Sequence, residues 1–316
     1  MGMMTWRDMW ALAVGDAPEF LHFHPILASI CIYMLIMIFC YVLYQLSCLL
    51  PSFLQSYAFD FFTTTAFCSY PFGHAIMRQT YGGVGYMCAM VPLVFVSIQI
   101  FSKGKGSPLG YWMGFLQGTT SLWTMLTHIP VQILGGIASF SLGRYIYMLD
   151  FHESFASVVV SERCYTDMKA TLATGFLLEM IGVTFDGWLG KQTLIKIPHV
   201  DLLLKLINVS IMVNLGVSFT GMYMHPAMAS GLTFGCDGTE KWEHLLVYWV
   251  GPFLGCFFAL KLNQFIKLPD WSGPQSKRQK SVDVKISNGA ATRQNGTKSS
   301  AENYKKQLRK RKKRWY

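Results

Sequence analysis

The sequence predicts an all-α polytopic membrane protein. It reads as an inverted repeat of three spans plus a short re-entrant helix in each half, with one extra span in front. Three observations predict this. Apolar runs of about 20 residues, the length a helix needs to cross a hydrocarbon core of ~30 Å, recur along the chain. The 316 residues are 52% hydrophobic and only 14% charged, with a mean hydropathy of +0.32, which leaves too few charges for a soluble domain. Two apolar segments of about ten residues, too short to cross, each open on a proline in matching places. These prolines, Pro108 and Pro226, lie 118 residues apart. Short interrupted segments at corresponding positions of two halves point to a central site.

Taken in order, residues 26–50 (ILASICIYMLIMIFCYVLYQLSCLL) are the plainest span, closed by Pro51. Residues 53–77 follow, interrupted by Asp60, Thr63, Thr64 and Thr65. A carboxylate inside an apolar helix is costly unless it faces protein or water. Asp60 therefore either supports packing around a cavity or marks a misplaced span boundary. A third span covers 84–101 and contains Pro92; Lys103 and Lys105 then mark a membrane face. Ser107-Pro108-Leu109 opens the first short helix, over about 107–118. Proline suits a first helical turn because the donor it lacks has no intrahelical partner there. A fourth span, about 122–149, carries Gln132, Gly135 and Gly136, and a fifth, about 168–187, carries Glu179.

The sixth span, about 201–221, ends at Gly221, and the chain turns through Tyr223, Met224, His225 and Pro226. Two readings are open for this turn. In one it is a kinked span with a buried histidine. In the other, His225 stands at the start of a second short helix, about 226–235, where unpaired backbone N–H groups face their surroundings. A last span occupies about 245–266 and includes Gly251, Pro252 and Gly255. The count is seven crossings and two short segments. The chain divides into an N-terminal segment 1–52, a first repeat 53–149, a connection with second repeat 150–266, and a tail 267–316.

The net charge of +10 belongs to the tail. Residues 270–316 carry 14 Lys and Arg against 3 acidic residues, whereas the remainder carries 13 against 14. With the tail in the cytoplasm, Lys103/Lys105 and Lys191/Lys196 fall on its side and the acidic connections 150–167 and 236–243 fall opposite, as the positive-inside rule requires. The tail, ending KKQLRKRKKRWY, has no apolar periodicity and suits contact with anionic lipid rather than nucleic acid. No cleavable signal peptide is evident, since acidic Asp8, Asp16 and Glu19 precede the first apolar run. Most of the eight cysteines lie in apolar segments as small buried hydrophobes. Cys164 and Cys236 fall in connections, where they either pair or stay free. Asn208-Val209-Ser210 and Asn295-Gly296-Thr297 match glycosylation acceptors but lie within a span and on the cytoplasmic side.

Four stretches carry a resemblance. Thr220-Gly221-x-x-x-His225-Pro226-Ala227 resembles the T-G-x-x-x-N-P-A of the second half-helix in the aquaporin (major intrinsic protein) family. Tyr248 to Gly255, with Gly251-Pro252 and Gly255, resembles its last span. Gln132-Ile133-Leu134-Gly135-Gly136 resembles the A-Q-x-L-G-A region, and Phe59-Asp60-Phe61-Phe62-Thr63-Thr64 resembles the E-F-x-x-T of the first core span. The resemblance covers about residues 53–266 and is nearest to the divergent aquaporin-11/12-like group, which also carries a leading span. It implies that Asp60 and Glu179 accept backbone hydrogen bonds from the loops before the half-helices. The paired asparagines of the family are replaced by Ser107 and His225. Either residue can cap a helix, and a His225 ring N–H could donate into a pore. The family's selectivity arginine is replaced by Met228, which leaves a wider, less polar constriction.

The resemblance implies a passive channel for water and small neutral solutes such as glycerol or hydrogen peroxide, without catalysis, metal or cofactor. It implies a homotetramer in membrane lipid, in the endoplasmic reticulum or plasma membrane, with a cytoplasmic C-terminus. His225 allows a pH-sensing role, because an unperturbed imidazole titrates near 6.5, or a purely structural cap. The rival reading is a non-conducting protein of the same fold that serves as a scaffold, in adhesion or in partner binding. A seven-helix receptor leaves both short segments unexplained, and an ion channel would need charges at the breaks.

Overall fold

A computed structural model describes residues 23–152, 155 and 164–269 of the chain. The basic tail beyond residue 269, on which the expected lipid contact falls, and most of the connection before Cys164 lie outside the described residues. The helices follow the apolar runs. Helix α1 spans Pro25–Leu46 and runs into a tight turn at Ser47–Leu49. Then come α2 (Ser52–Ile100), α3 (Pro108–Leu116), α4 (Leu122–Tyr147), α5 (Leu172–Gly190), α6 (Pro198–Thr220) and α7 (Pro226–Thr233). The last crossing begins as α8 (Lys241–Leu245), loosens into a π-helical turn at Leu246–Val250 and continues as α9 (Gly251–Phe265). These elements form one unit, except that Thr193–Pro198 and the residues from Leu268 onward belong to a second. In that second unit the described part is a non-helical connection up to the start of α6 and two non-helical residues after Lys267.

Among the described residues, six helices are long and apolar enough to cross a membrane, and the chain is a multi-pass helical membrane protein. The sequence predicts seven spans. The difference lies in α2, which joins the second and third expected spans into one helix of 49 residues. The polar stretch between them makes no loop. The backbone departs from helical geometry only at Gly82, with φ 65° and ψ −156°, a conformation open to a residue without Cβ. The outward faces carry exposed Val84, Leu134, Ile181, Ile211 and Leu215, the surface that lipid solvates in place of water.

Small residues set the close approaches inside the bundle, as expected where lipid leaves packing to hold helices together. Helix α4 lies against the first half of α2. A Cβ on Gly135 would stand 2.7 Å from the Phe61 carbonyl oxygen. Helix α9 lies against α5 in the same manner, and Cβ atoms on Gly251 and Gly255 would stand 3.2 Å from the Phe176 oxygen and 2.7 Å from the Met180 oxygen. Buried Pro252 follows directly on the π-helical turn, where a residue without an amide donor interrupts the regular hydrogen-bond ladder of the crossing. Helix α1 is sutured to α2 by the buried column Ala28, Ile32, Ile36, Cys40 and Tyr44.

Candidate functional site

The two short helices start as their caps dictate. Pro108 and Pro226, both buried, occupy the first turns of α3 and α7. Before α3, the Ser107 hydroxyl oxygen accepts the Leu109 amide at 3.4 Å. Before α7, His225 Nδ1 accepts the Met228 amide at 3.1 Å. The bound Nδ1 assigns the ring proton to Nε2, which lies 2.6 Å from the Gly106 carbonyl and donates to it. Of the two roles left open for His225, the cap is the one made here, and the ring N–H that could donate into a pore is already engaged. It is spent on the loop of the other short helix. One imidazole thus links the N-termini of α3 and α7 across 119 residues.

Each approach loop is held by one buried carboxylate. Asp60, 1% exposed, accepts the Lys105 amide at 2.7 Å through Oδ1. Its Oδ2 accepts the Tyr111 hydroxyl and the His128 Nδ1–H, both at 2.6 Å. Gln132 Nε2 donates to the Lys105 carbonyl at 2.7 Å, so both backbone groups of Lys105 are held. The Lys105 ammonium lies 3.9 Å from the centre of the Tyr111 ring, a cation–π contact. In the second half, Glu179 is fully buried and accepts Thr220 Oγ1 at 2.9 Å, the Tyr223 amide at 3.1 Å and the Met224 amide at 2.7 Å. The turn it holds is unusual: Gly221, Met222 and Met224 have φ of 77°, 45° and 47°. Two of these are non-glycine residues in the sparsely populated left-handed region.

The short helices are seated differently. Helix α7 sits directly on α4, where a Cβ on Gly136 would be 2.1 Å from the Ala227 oxygen and one on Gly231 would be 1.9 Å from the Gly136 oxygen. Helix α3 is seated through a large side chain. Trp112 stacks on Phe253 with ring centres 5.0 Å apart and donates its indole N–H to the Phe253 carbonyl at 2.9 Å.

Beside this junction lies a cavity of ≈ 590 Å³, lined by His225 and Met228 among mainly aromatic and aliphatic side chains. Gly221, Tyr223 and Met224 of the strained turn also reach it. Ser107, Pro108 and Leu109 do not line it; Gly106, the residue before Ser107, is hydrogen-bonded to His225, which does. Two features lie beyond the sequence expectations, and the alternative left open for Cys164 and Cys236 closes in favour of pairing. Tyr111 and His128 complete the Asp60 cluster. Arg78 lines the cavity, and its Nη1 is buried without a hydrogen-bond partner. A disulfide joins Cys164 to Cys236, and the amide of Asp237 donates to the Cys164 carbonyl at 2.9 Å, which pins the connection before α5 to the one after α7. An arginine between two apolar runs was itself a signal for the second feature, since ionisable residues within spans mark solute paths.

No family model matches the chain. It is 22% identical over 203 residues to aquaporin-11 of Milnesium tardigradum, covering 64% of this chain and 73% of that protein. It is 28% identical over 206 residues to aquaporin SIP1-1 of Arabidopsis thaliana, covering 60% and 79%. With aquaporin-12 of Mus musculus it shares 25% over 191 residues, 58% of this chain and 64% of the relative.

Proposed function

The chain belongs to a divergent branch of the aquaporin family, and we propose that it is a passive, non-enzymatic channel for water and small neutral solutes. In this reading α2 crosses twice, because a straight 49-residue helix would be about 74 Å long and the hydrocarbon core is only ~30 Å. Crossings two to seven then form two inverted halves, with α3 and α7 re-entering from opposite faces. The matched roles of Asp60 and Glu179, and of the α2–α4 and α5–α9 pairs, support that repeat. The observation that carries the reading is the His225–Gly106 hydrogen bond. It brings the N-termini of two short helices together beside a cavity that reaches His225 and Met228. Paired N-terminal dipole ends oppose the entry of cations and protons.

Met228, in place of a charged fork of donors, leaves an apolar constriction that admits glycerol or hydrogen peroxide alongside water. The disulfide supports a topology with Cys164 and Cys236 in an oxidising lumen or outside the cell and the C-terminus in the cytoplasm. A homotetramer in the endoplasmic reticulum or plasma membrane, its basic tail on anionic lipid, completes the reading. Stopped-flow light scattering on proteoliposomes, challenged in turn with an impermeant osmolyte and with glycerol, tests it. Permeability to both above empty liposomes is expected; water passage with glycerol excluded would refute the wide constriction.

One observation favours a non-conducting scaffold instead. The only polar group His225 could offer a solute, its ring N–H, is already bonded to Gly106. Absence of both fluxes from folded protein would select this reading.

A further inference from the structure

Arg78 is a permanent cation in an awkward place. A guanidinium is not deprotonated in proteins, and within a membrane such a charge faces a partner or a water-filled path. Nη1 of Arg78 is buried without a hydrogen-bond partner, no ion pair joins this arginine to a described residue, and it lines the cavity beside Tyr86. It stands four residues before the break at Gly82 and lines the cavity together with Tyr165, the neighbour of disulfide-bonded Cys164. Two carboxylates also line the cavity, and neither neutralises it. Asp167 is tied to the turn before α7 by the Tyr223 hydroxyl. Asp186 lies close to the far end of α5, which begins beside the disulfide-linked connection and runs away from it. Met228, which also lines the cavity, carries no side-chain donor, and its amide is taken by His225.

We propose that Arg78 is the specificity-determining residue of the cavity: its guanidinium hydrogen-bonds oxygen-bearing neutral solutes entering from the disulfide side and repels cations. The assignment rests on the channel reading above. It places the donor fork on α2, at the mouth, rather than on α7. The five N–H donors of a guanidinium match the closely spaced oxygens of a polyol, and a point charge would not reproduce that geometry.

The experiment uses the full chain in proteoliposomes, as wild type, Arg78→Met and Arg78→Lys. Water and glycerol permeabilities are read by light scattering, and potassium leak by a potential-sensitive dye under a potassium gradient. Arg78→Met should raise potassium leak at least tenfold, because a unit charge within about 10 Å of a passing cation repels it by more than ~1.4 kcal/mol at an effective dielectric near 20. It should also lower the glycerol-to-water ratio. Arg78→Lys should keep potassium out while losing the glycerol preference, and it carries the test if the methionine variant does not fold. If the wild type conducts and both variants match it in every flux, the Arg78 assignment is wrong and the channel stands. If the wild type passes neither water nor glycerol, the channel reading falls and the assignment falls with it.

Discussion

The imidazole of His225 donates to the Gly106 carbonyl at 2.6 Å and accepts the Met228 amide at 3.1 Å, so both of its nitrogens are engaged at once. An asparagine in this position has an oxygen for the cap and two amide hydrogens, one of which stays free for a solute. Histidine exchanges that free donor for a fixed link between two helix N-termini.

His225→Ala should therefore lower stability by about 1–3 kcal/mol, because it removes a helix cap and leaves the Gly106 carbonyl without its donor. His225→Asn should keep the cap, free a donor into the cavity and raise water permeability. Thermal unfolding in detergent and vesicle shrinkage measure the two effects.

Protonation at Nδ1 would turn the acceptor for the Met228 amide into a second donor facing it. Ring charging thus requires the cap to open, and the geometry favours a structural role over a pH sensor. Permeability of the wild type should be constant between about pH 5 and 8. A sigmoidal loss of flux on acidification that His225→Asn abolishes would show that the cap does open.

Glu179→Gln tests the second approach loop. The carboxylate accepts from three donors, and an amide presents an NH₂ to at least one of them. A donor against a donor in a buried site should cost about 1–3 kcal/mol, or more because the lost group is charged. Asp60→Asn should behave alike, since Lys105, Tyr111 and His128 all donate to Asp60. The two variants should shift the unfolding midpoint in the same direction. An unchanged midpoint for either would mean that its loop is held by other contacts.

Much of this frame is legible in the residue order. Proline at 108 and 226 preselects a first helical turn, and Ser107 and His225 supply caps. The apolar runs around them have the length of crossings, which is why α1, α4, α5 and α6 lie close to where hydropathy puts them. Other features depend on tertiary contacts that no local pattern encodes. Arg78 to Gly83 reads as a polar connection, yet the helix continues through it because Gly82 alone absorbs the change of direction. The His225–Gly106 link spans 119 residues, and the Trp112–Phe253 seat spans 141. The pairing of Cys164 with Cys236 depends on where two connections meet, which sequence spacing leaves open.

Glycine substitutions separate tight seats from open ones. At Gly136 a methyl group would press on the Ala227 carbonyl, a backbone atom that cannot swing aside. Gly136→Ala should cost about 1–3 kcal/mol and push α7 away from α4. At Gly190 a Cβ meets nothing within 4 Å, so Gly190→Ala should be neutral or slightly stabilising. Unfolding midpoints of the two variants, measured side by side, decide this.

The leading helix α1 is the last test, because it can be either an appendage or part of the working structure. Its Tyr33 hydroxyl lies 2.7 Å from Nδ1 of His74, and His74 lines the cavity. Its Ser29 hydroxyl donates to the Gly73 carbonyl, and the Tyr33 ring fills the space a Cβ on Gly73 would need, 2.3 Å away. At its other end the Tyr44 hydroxyl accepts the Lys103 amide at 2.7 Å, two residues from the loop segment held by Asp60. One helix therefore touches both the cavity wall and the approach to α3. Removing it would expose the apolar column of α2 it covers and leave His74 without its partner. Deleting residues 1–50 should give a protein that fails to fold, rather than a smaller channel. Tyr33→Phe, which keeps the ring and removes only the hydroxyl, should fold with a loss of about 1–3 kcal/mol from the orphaned His74 nitrogen. Size-exclusion profiles for the deletion and unfolding midpoints for the point variant provide the measurements. A monodisperse, conducting deletion variant would show that α1 is an appendage.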